Sequence, residues 1–163
     1  MRFSTRSVFL SLATASLTLL GSGLLLGELL HLNPCYLCNF QRLLYMVLAF
    51  FALCGALFPS WRRLWSLLVG LAAGGGLLTA LQQSWMQYAP ELVNECGFGD
   101  PTLIEQIINW LTPKWPSMFM VTGFCTNKEW QFLGLSLANW SGVCFLGLFA
   151  ISVWLLFRRE TKR

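Results

Sequence analysis

Hydrophobic residues are concentrated in four long stretches of the chain, separated by polar segments of very unequal length. A helix rises about 1.5 Å per residue, so about 20 apolar residues are needed to cross a hydrocarbon core about 30 Å thick. Each stretch comes close to that length, the second only when its more polar first turns are included. The pattern predicts four membrane-spanning helices, at about residues 8–30, 36–58, 64–81 and 140–157.

The first stretch has a second interpretation. Arg2 and Arg6 followed by apolar residues resemble a secretory signal peptide, and the small residues near 21–23 imitate a cleavage site. However, the apolar run continues to Leu30, which is longer than a usual signal core, and three further spans follow. We therefore predict that this helix is retained.

The composition agrees with a membrane protein. Of the 163 residues, 56% are hydrophobic and only 11% are charged, whereas about 25% are charged in a soluble domain. A chain of this length suits one domain. The predicted fold class is therefore an all-α integral membrane protein, with residues 1–163 forming a single four-helix bundle.

The basic residues indicate the orientation of the bundle. Eight of the eleven Lys and Arg residues fall at one end of the predicted helices, and the positive-inside rule makes that end cytoplasmic. Both termini are then cytoplasmic, and the segments at about 31–38 and 82–139 form a short and a long loop on the outer side. The eight are Arg2, Arg6, Arg62, Arg63, Arg158, Arg159, Lys162 and Arg163.

The long outer loop contains one segment with helical periodicity. Residues 101–111 begin with a proline and continue with apolar residues at three- and four-residue spacing. Little else in the loop could cover this apolar face, so we predict a short helix lying along the membrane surface.

Glycines four residues apart occur in two of the predicted spans. Gly23 and Gly27 lie in the first span, and Gly70 and Gly74 lie in the third. Small residues at this spacing let helix backbones approach closely. We interpret both pairs as packing sites within the bundle, and a dimer is not needed to explain them. We therefore expect a monomer.

Four of the six cysteines map to the outer loops. Cys35 and Cys38 have the Cys-x-x-Cys spacing of redox proteins, in which the two sulfurs can meet in a small ring that opens and closes without rearranging the fold. Taken alone, Cys96 and Cys125 could be a structural disulfide or a second redox pair. Cys54 and Cys144, within the spans, are interpreted as small apolar residues.

The surroundings of Cys35 and Cys38 favour redox chemistry. Pro34 precedes a helix start, where unpaired backbone N–H groups stabilise a thiolate. Arg42 lies one turn beyond Cys38, and a cation so close to the hydrocarbon boundary indicates a functional role or, alternatively, a snorkelling anchor. We favour the stabilisation of a thiolate or the binding of an electron acceptor.

Other uses of these cysteines fit less well. Covalent haem attachment requires a histidine after Cys38, where this chain has Asn39. A four-cysteine zinc site is disfavoured by the 29-residue spacing of Cys96 and Cys125 and by an oxidising face, so we predict no metal. A redox pair at the lipid boundary beside a cation suits a membrane-dissolved carrier such as a quinone.

Three segments carry a resemblance to a known family. The chain is similar to the DsbB family, the bacterial disulfide-bond formation proteins, in topology and in the order of its cysteines. The first-loop signature is highly specific, and the other two segments resemble the regions around the family's loop cysteines. The segments are 34–42 (Pro-Cys-Tyr-Leu-Cys-Asn-Phe-Gln-Arg), 94–97 (Asn-Glu-Cys-Gly) and 122–140, from Thr-Gly-Phe-Cys to Trp140.

The resemblance implies a bacterial inner-membrane enzyme that reoxidises a DsbA-like thioredoxin-fold protein and passes two electrons to ubiquinone or menaquinone. Cys96 would then form the mixed disulfide with the partner, and Cys125 would be its pair and exchange with Cys35. Cys38 would face the quinone, with Arg42 beside it. Each step would be thiolate attack on a disulfide sulfur.

Two alternatives share part of this pattern. Vitamin K epoxide reductase-like enzymes are also four-helix thiol–quinone oxidoreductases, but their loop pair precedes the Cys-x-x-Cys, whereas Cys35 and Cys38 come first here. A tetraspanin-like scaffold stapled by disulfides would not require Cys-x-x-Cys beside Arg42 at a helix start.

Overall fold

Four long helices dominate the structure, a computed structural model that describes residues 4–89, 101–128 and 130–158. Within these residues, four helices are long and apolar enough to cross a membrane, which confirms the predicted four-helix class of a multi-pass membrane protein. In chain order the elements are α1 (Thr5–Leu29), α2 (Tyr36–Leu57), a 3₁₀ turn (Pro59–Trp61), α3 (Arg62–Tyr88), α4 (Leu103–Leu111), α5 (Pro116–Phe119), β1 (Gln131–Phe132), β2 (Leu135–Ser136) and α6 (Leu137–Phe157).

The long helices pack in the order α1, α2, α3 and α6. In a bilayer, helix association rests on close packing rather than on the hydrophobic effect, and two glycines show how close the packing is. A Cβ atom on Gly55 would lie 2.7 Å from the ring of Phe9, and one on Gly76 would lie 2.3 Å from the ring of Phe145. Both rings are fully buried, so each fills a space that only a glycine leaves open.

The two predicted glycine pairs behave differently. Gly70 and Gly74 face α6, whose side chains lie 3.1 and 3.5 Å from the positions that alanine Cβ atoms would take, so the packing interpretation is confirmed there. It is wrong for Gly23 of α1. A Cβ atom on Gly23 would meet nothing within 4 Å, and one on Gly27 would lie 3.4 Å from the guanidinium of Arg42. Gly27 therefore faces α2 through Arg42, whereas Gly23 faces open space in the cavity that Arg42 also lines.

The third span is longer than hydropathy predicts. The apolar run ends near Leu81, but α3 continues to Tyr88. Glutamine is a good helix former, and Gln83 and Gln87 are buried inside the bundle, where their amides are hydrogen-bonded. Because hydropathy detects apolar side chains and not helical backbone, it placed these two glutamines in the long loop.

The predicted short helix is present as α4, which begins two residues after its expected start. Thr102 and Glu105 form a capping box, with Glu105 Oε2 accepting from the Thr102 backbone N–H at 2.7 Å. Ile108 and Leu111 are buried against residues of α2 and α5. Little else in the loop was expected to cover this apolar face, and the cover comes mainly from α2, with Phe119 of the loop beside it. Leu103, Ile107 and Trp110 on the same helix remain exposed.

A small β-hairpin precedes α6 and was not predicted. Gln131 pairs with Ser136 and Phe132 pairs with Leu135 across a two-residue turn. The turn needs left-handed backbone, with φ of 54° at Leu133 and 77° at Gly134, and a glycine adopts such a φ without strain. The hairpin stacks Trp130 on Phe132, with ring centroids 6.1 Å apart.

Candidate redox site

The first turn of α2 brings two cysteine sulfurs together. Pro34 lacks the N–H that a helix interior needs, so the helix begins after it, with Cys35 at the N-cap in extended conformation. The backbone N–H of Asn39 donates to the Cys35 carbonyl at 3.0 Å and closes the turn. The sulfurs of Cys35 and Cys38 lie 3.3 Å apart as thiols, so a small rotation would bring them to bonding distance once an acceptor removes two electrons and two protons.

A segment of the long loop carries a third sulfur to this turn. The backbone N–H groups of Thr122 and Gly123 donate to the Pro34 carbonyl at 3.0 and 3.2 Å. Cys125, two residues further on, is only 7% exposed and packs in one buried cluster with Cys35. Three of the four predicted redox cysteines are thus in one place.

The fourth predicted redox cysteine, Cys96, lies outside the described residues, together with the rest of the segment 94–97 that resembles the family.

Only glycine fits at one point of this docked segment. A Cβ atom on Gly123 would lie 2.3 Å from the backbone oxygen of Asn33 and 2.8 Å from its Cβ. Those distances are far below van der Waals contact, and the atoms concerned are backbone or fixed to it. The glycine therefore lets the loop approach closely enough to place Cys125 against the first turn of α2.

The proximity of the thiols governs the ionisation of Cys35. Its contact with the Cys125 thiol, together with burial, raises the pKa of Cys35 from 9.0 to about 12, although the contact with Cys38 acts in the opposite direction. The expectation that the helix N-terminus would favour a thiolate is not met at this residue. A buried neutral thiol beside a second thiol is the stable form here.

Arg42 and Asn39 are fixed by the loop and do not extend towards solvent. Arg42 Nη1 donates to the Asn39 Oδ1 atom and to the Met118 carbonyl, both at 3.2 Å. Asn39 is fully buried and donates in turn to the carbonyls of Phe119 and Met120, at 2.9 and 3.1 Å. The carbonyls around α5 thus hold the guanidinium beside Cys38. In the sequence analysis, Asn39 was used only as an argument against covalent haem attachment. Its role in positioning the Arg42 guanidinium was missed.

Two buried glutamines complete the site, and sequence reasoning did not identify either as functional. Gln83 of α3 donates from Nε2 to the Cys38 sulfur at 3.0 Å. Gln41 of α2 donates from Nε2 to the Gln83 Oε1 atom at 3.0 Å. A usable signal was present, since Gln83 and Gln87 are four residues apart and so share a face of a helix that continues an apolar span.

A cavity of about 320 Å³ lies against Cys38 and Arg42. Its wall is mostly apolar and is formed by α1, α2, the hairpin and the start of α6. Trp130, Phe132 and Trp140 contribute aromatic rings, and Cys144, interpreted from the sequence as a small apolar residue, also lines it. A largely apolar cavity with a few convergent polar groups is the usual form of a small-molecule site. Cys54 lies elsewhere, in the last turn of α2.

Comparisons with known proteins agree with this geometry. Residues 5–155 match the family model described as "Disulfide bond formation protein DsbB". The chain is 49% identical over 158 residues to disulfide bond formation protein B of Dechloromonas aromatica, covering 95% of this chain and 94% of the relative. The proteins of the same name from Aromatoleum aromaticum and Nitrosospira multiformis are 37% and 35% identical, with coverage of at least 95% of each chain.

Proposed function

Because this chain belongs to the DsbB family of disulfide bond formation proteins, we propose that it reoxidises a DsbA-like periplasmic dithiol protein and passes the two electrons to a membrane quinone. The observation that carries the proposal is the buried group of three sulfurs, Cys35, Cys38 and Cys125, next to an apolar cavity with a cation at its wall. Family membership and the cysteine order favour this function over a vitamin K epoxide reductase-like enzyme or a stapled scaffold.

The orientation of the bundle supports a periplasmic thiol site. Arg6, Arg62 and Arg158 mark one end of the helices, whereas the sulfurs lie at the other. In a bacterial inner membrane the positive-inside rule puts the arginine end in the cytoplasm. The cysteines then face the compartment in which protein disulfides form.

The proposed relay begins at the loop pair. A thiolate of the partner attacks Cys96 in a Cys96–Cys125 disulfide, a mixed disulfide with the partner forms, and Cys125 leaves as a thiolate. The second thiol of the partner then attacks its own half of the mixed disulfide. The partner gains a disulfide, and Cys96 and Cys125 become thiols that carry the two electrons and two protons taken from the partner.

The second exchange transfers these electrons to the first turn of α2. Cys125 attacks Cys35 in a Cys35–Cys38 disulfide, so that a Cys35–Cys125 bond forms and Cys38 leaves as a thiolate. Cys96 then attacks Cys125, which restores the loop disulfide and releases Cys35 as a thiol. The contact between Cys125 and Cys35 supports this order because the attacking and attacked sulfurs are already adjacent.

The residues around the cavity fit a quinone. A quinone headgroup is flat and apolar with two carbonyl oxygens, and the cavity offers aromatic walls with Arg42 and Gln41 as polar groups. Bound there, a quinone would supply a two-electron, two-proton acceptor for the dithiol. In this arrangement Arg42 orients an oxygen-bearing headgroup, and Cys38 presents its sulfur at the cavity wall. Ubiquinone and menaquinone both have this chemistry.

The test uses purified protein, a reduced thioredoxin-fold partner and added ubiquinone or menaquinone, with quinol formation followed spectroscopically. Cys38→Ser should abolish quinol formation while the protein still inserts. Cys54→Ser is the matched control, since Cys54 lies on the same helix away from the cluster, and it should retain activity. Full quinol formation in Cys38→Ser would refute the proposed relay, and no quinol formation by the parent protein would favour a scaffold.

A further inference from the structure

One buried side chain contacts the sulfur of Cys38 from a different helix. Gln83 of α3 is 4% exposed, and its Nε2 donates to the Cys38 sulfur at 3.0 Å and to that of Cys35 at 3.6 Å. A nitrogen–sulfur distance of 3.0 Å is short for a hydrogen bond to sulfur. The amide therefore acts chiefly on Cys38.

A second amide fixes the orientation of the first. Gln41, 5% exposed, donates to the Gln83 Oε1 atom at 3.0 Å. A glutamine side chain can present either its oxygen or its nitrogen to a neighbour. With its oxygen already accepting from Gln41, Gln83 turns its nitrogen to the sulfur. Gln41 and Arg42 are adjacent in α2, so one turn supplies both the orienting amide and the cation.

We propose that Gln83 is a catalytic hydrogen-bond donor that stabilises the thiolate of Cys38, and that Gln41 is the positioning residue that aims it. A hydrogen bond to the charged form of an acid favours ionisation, and it is stronger where water is excluded. Unlike a second cation, an amide is neutral, so it need not be paired with an anion when Cys38 is protonated or disulfide-bonded.

This inference rests on the proposed function, in which Cys38 leaves as a thiolate, but it is tested without quinone or partner. In a variant whose other five cysteines are replaced by serine or alanine, the rate of Cys38 alkylation by a small neutral maleimide is measured against pH. The midpoint of the rate–pH curve reports the ionisation of Cys38. The maleimide reaches Cys38 through the cavity that this residue lines. Gln83→Met, similar in size but without a donor, should raise the midpoint by about one to two pH units.

Gln41→Met should raise the midpoint in the same direction by a smaller amount, since the donor remains but is no longer aimed. The double variant should shift it no further than Gln83→Met alone, because both changes act through one hydrogen bond. Gln87→Met is the matched control: Gln87 is an equally buried amide one turn along α3 that bonds to Ser136 and Asn127. It should leave the midpoint unchanged.

An unchanged midpoint in Gln83→Met would overturn the donor role, and fully additive shifts would overturn the aiming role of Gln41. If Gln83→Met does not fold, Gln83→Asn gives the same test, since its shorter side chain withdraws the donor and should shift the midpoint upwards. Quinol formation by the unmodified protein is a separate measurement. Its failure would refute the proposed function and leave the alkylation result standing.

Discussion

Replacing Gly123 by alanine should separate the loop sulfur from the first turn of α2. The added Cβ would lie 2.3 Å from the Asn33 backbone oxygen and 2.9 Å from its carbonyl carbon. Since real Cβ atoms essentially never come closer than 3.0 Å, the loop must move away. That movement removes the hydrogen bonds from Thr122 and Gly123 to the Pro34 carbonyl, which hold the segment in place.

The size of the effect follows from those two hydrogen bonds. Each backbone hydrogen bond contributes about 0.5–1.5 kcal/mol net, so the docked position should lose about 1–3 kcal/mol. At about 1.4 kcal/mol per tenfold change in an equilibrium constant, the docked state should be disfavoured by about fivefold to a hundredfold. Cys125 would then meet Cys35 correspondingly less often.

The assay measures the equilibrium between the two sulfurs directly. In protein carrying Cys38→Ser and Cys96→Ser, the fraction of Cys35–Cys125 disulfide is determined in glutathione redox buffers, which gives an effective concentration. Gly123→Ala should lower that concentration by the factor above. Gly147→Ala is the control, since a Cβ atom there would meet nothing within 4 Å. An effective concentration equal to that of the parent would refute the argument that Gly123 docks the loop.

Three further predictions concern the proposed relay. Arg42→Met should raise the apparent KM for quinone with little change in folding. An unchanged KM would mean that Arg42 only anchors the helix at the membrane surface. Arg63→Met, at the other end of the bundle, is the matched control and should leave the KM unchanged. Mixed with the oxidised partner, Cys125→Ser should accumulate a mixed disulfide on non-reducing gels, because the Cys96 thiolate attacks the partner's disulfide and one partner sulfur leaves as a thiolate. Trapping through Cys35 would contradict the proposed order. In the reduced protein, the alkylation rate of Cys35 should rise only towards pH 12, because the raised pKa keeps this thiol neutral at lower pH. Cys125→Ala should move the rise to lower pH. A Cys35 midpoint near 9 in the parent protein would contradict the contact between Cys35 and Cys125.

The membrane fold was predictable because its determinants are local. An apolar run of about 20 residues is a property of consecutive positions, and so is the capping box of Thr102 and Glu105 that starts α4. The Cys-x-x-Cys turn is equally local, since Pro34 and the three-residue spacing of Cys35 and Cys38 fix its geometry. These features required no knowledge of what packs against them.

The features that were missed depend on contacts between segments distant in the chain. Gly23 and Gly27 carry the same spacing as Gly70 and Gly74, but a Cβ atom on Gly23 would meet nothing within 4 Å, whereas one on each of the other three would contact a neighbouring helix. The neighbours differ as well, since Gly27 faces Arg42 of α2 and the second pair faces α6. A spacing rule describes one helix surface and cannot show which neighbour that surface meets.

Cys35 and Cys38, at the start of α2, differ in the side chains that surround them, and the sequence alone did not reveal this difference. Cys35 contacts the thiol of Cys125, which favours its neutral form, whereas Cys38 receives a hydrogen bond from Gln83 beside the guanidinium of Arg42. Because Cys125 lies against Cys35, the proposed attack of Cys125 on Cys35 with departure of Cys38 is the exchange that the contacts favour. These contacts come from the loop and from α3, so the motif within α2 could not reveal them.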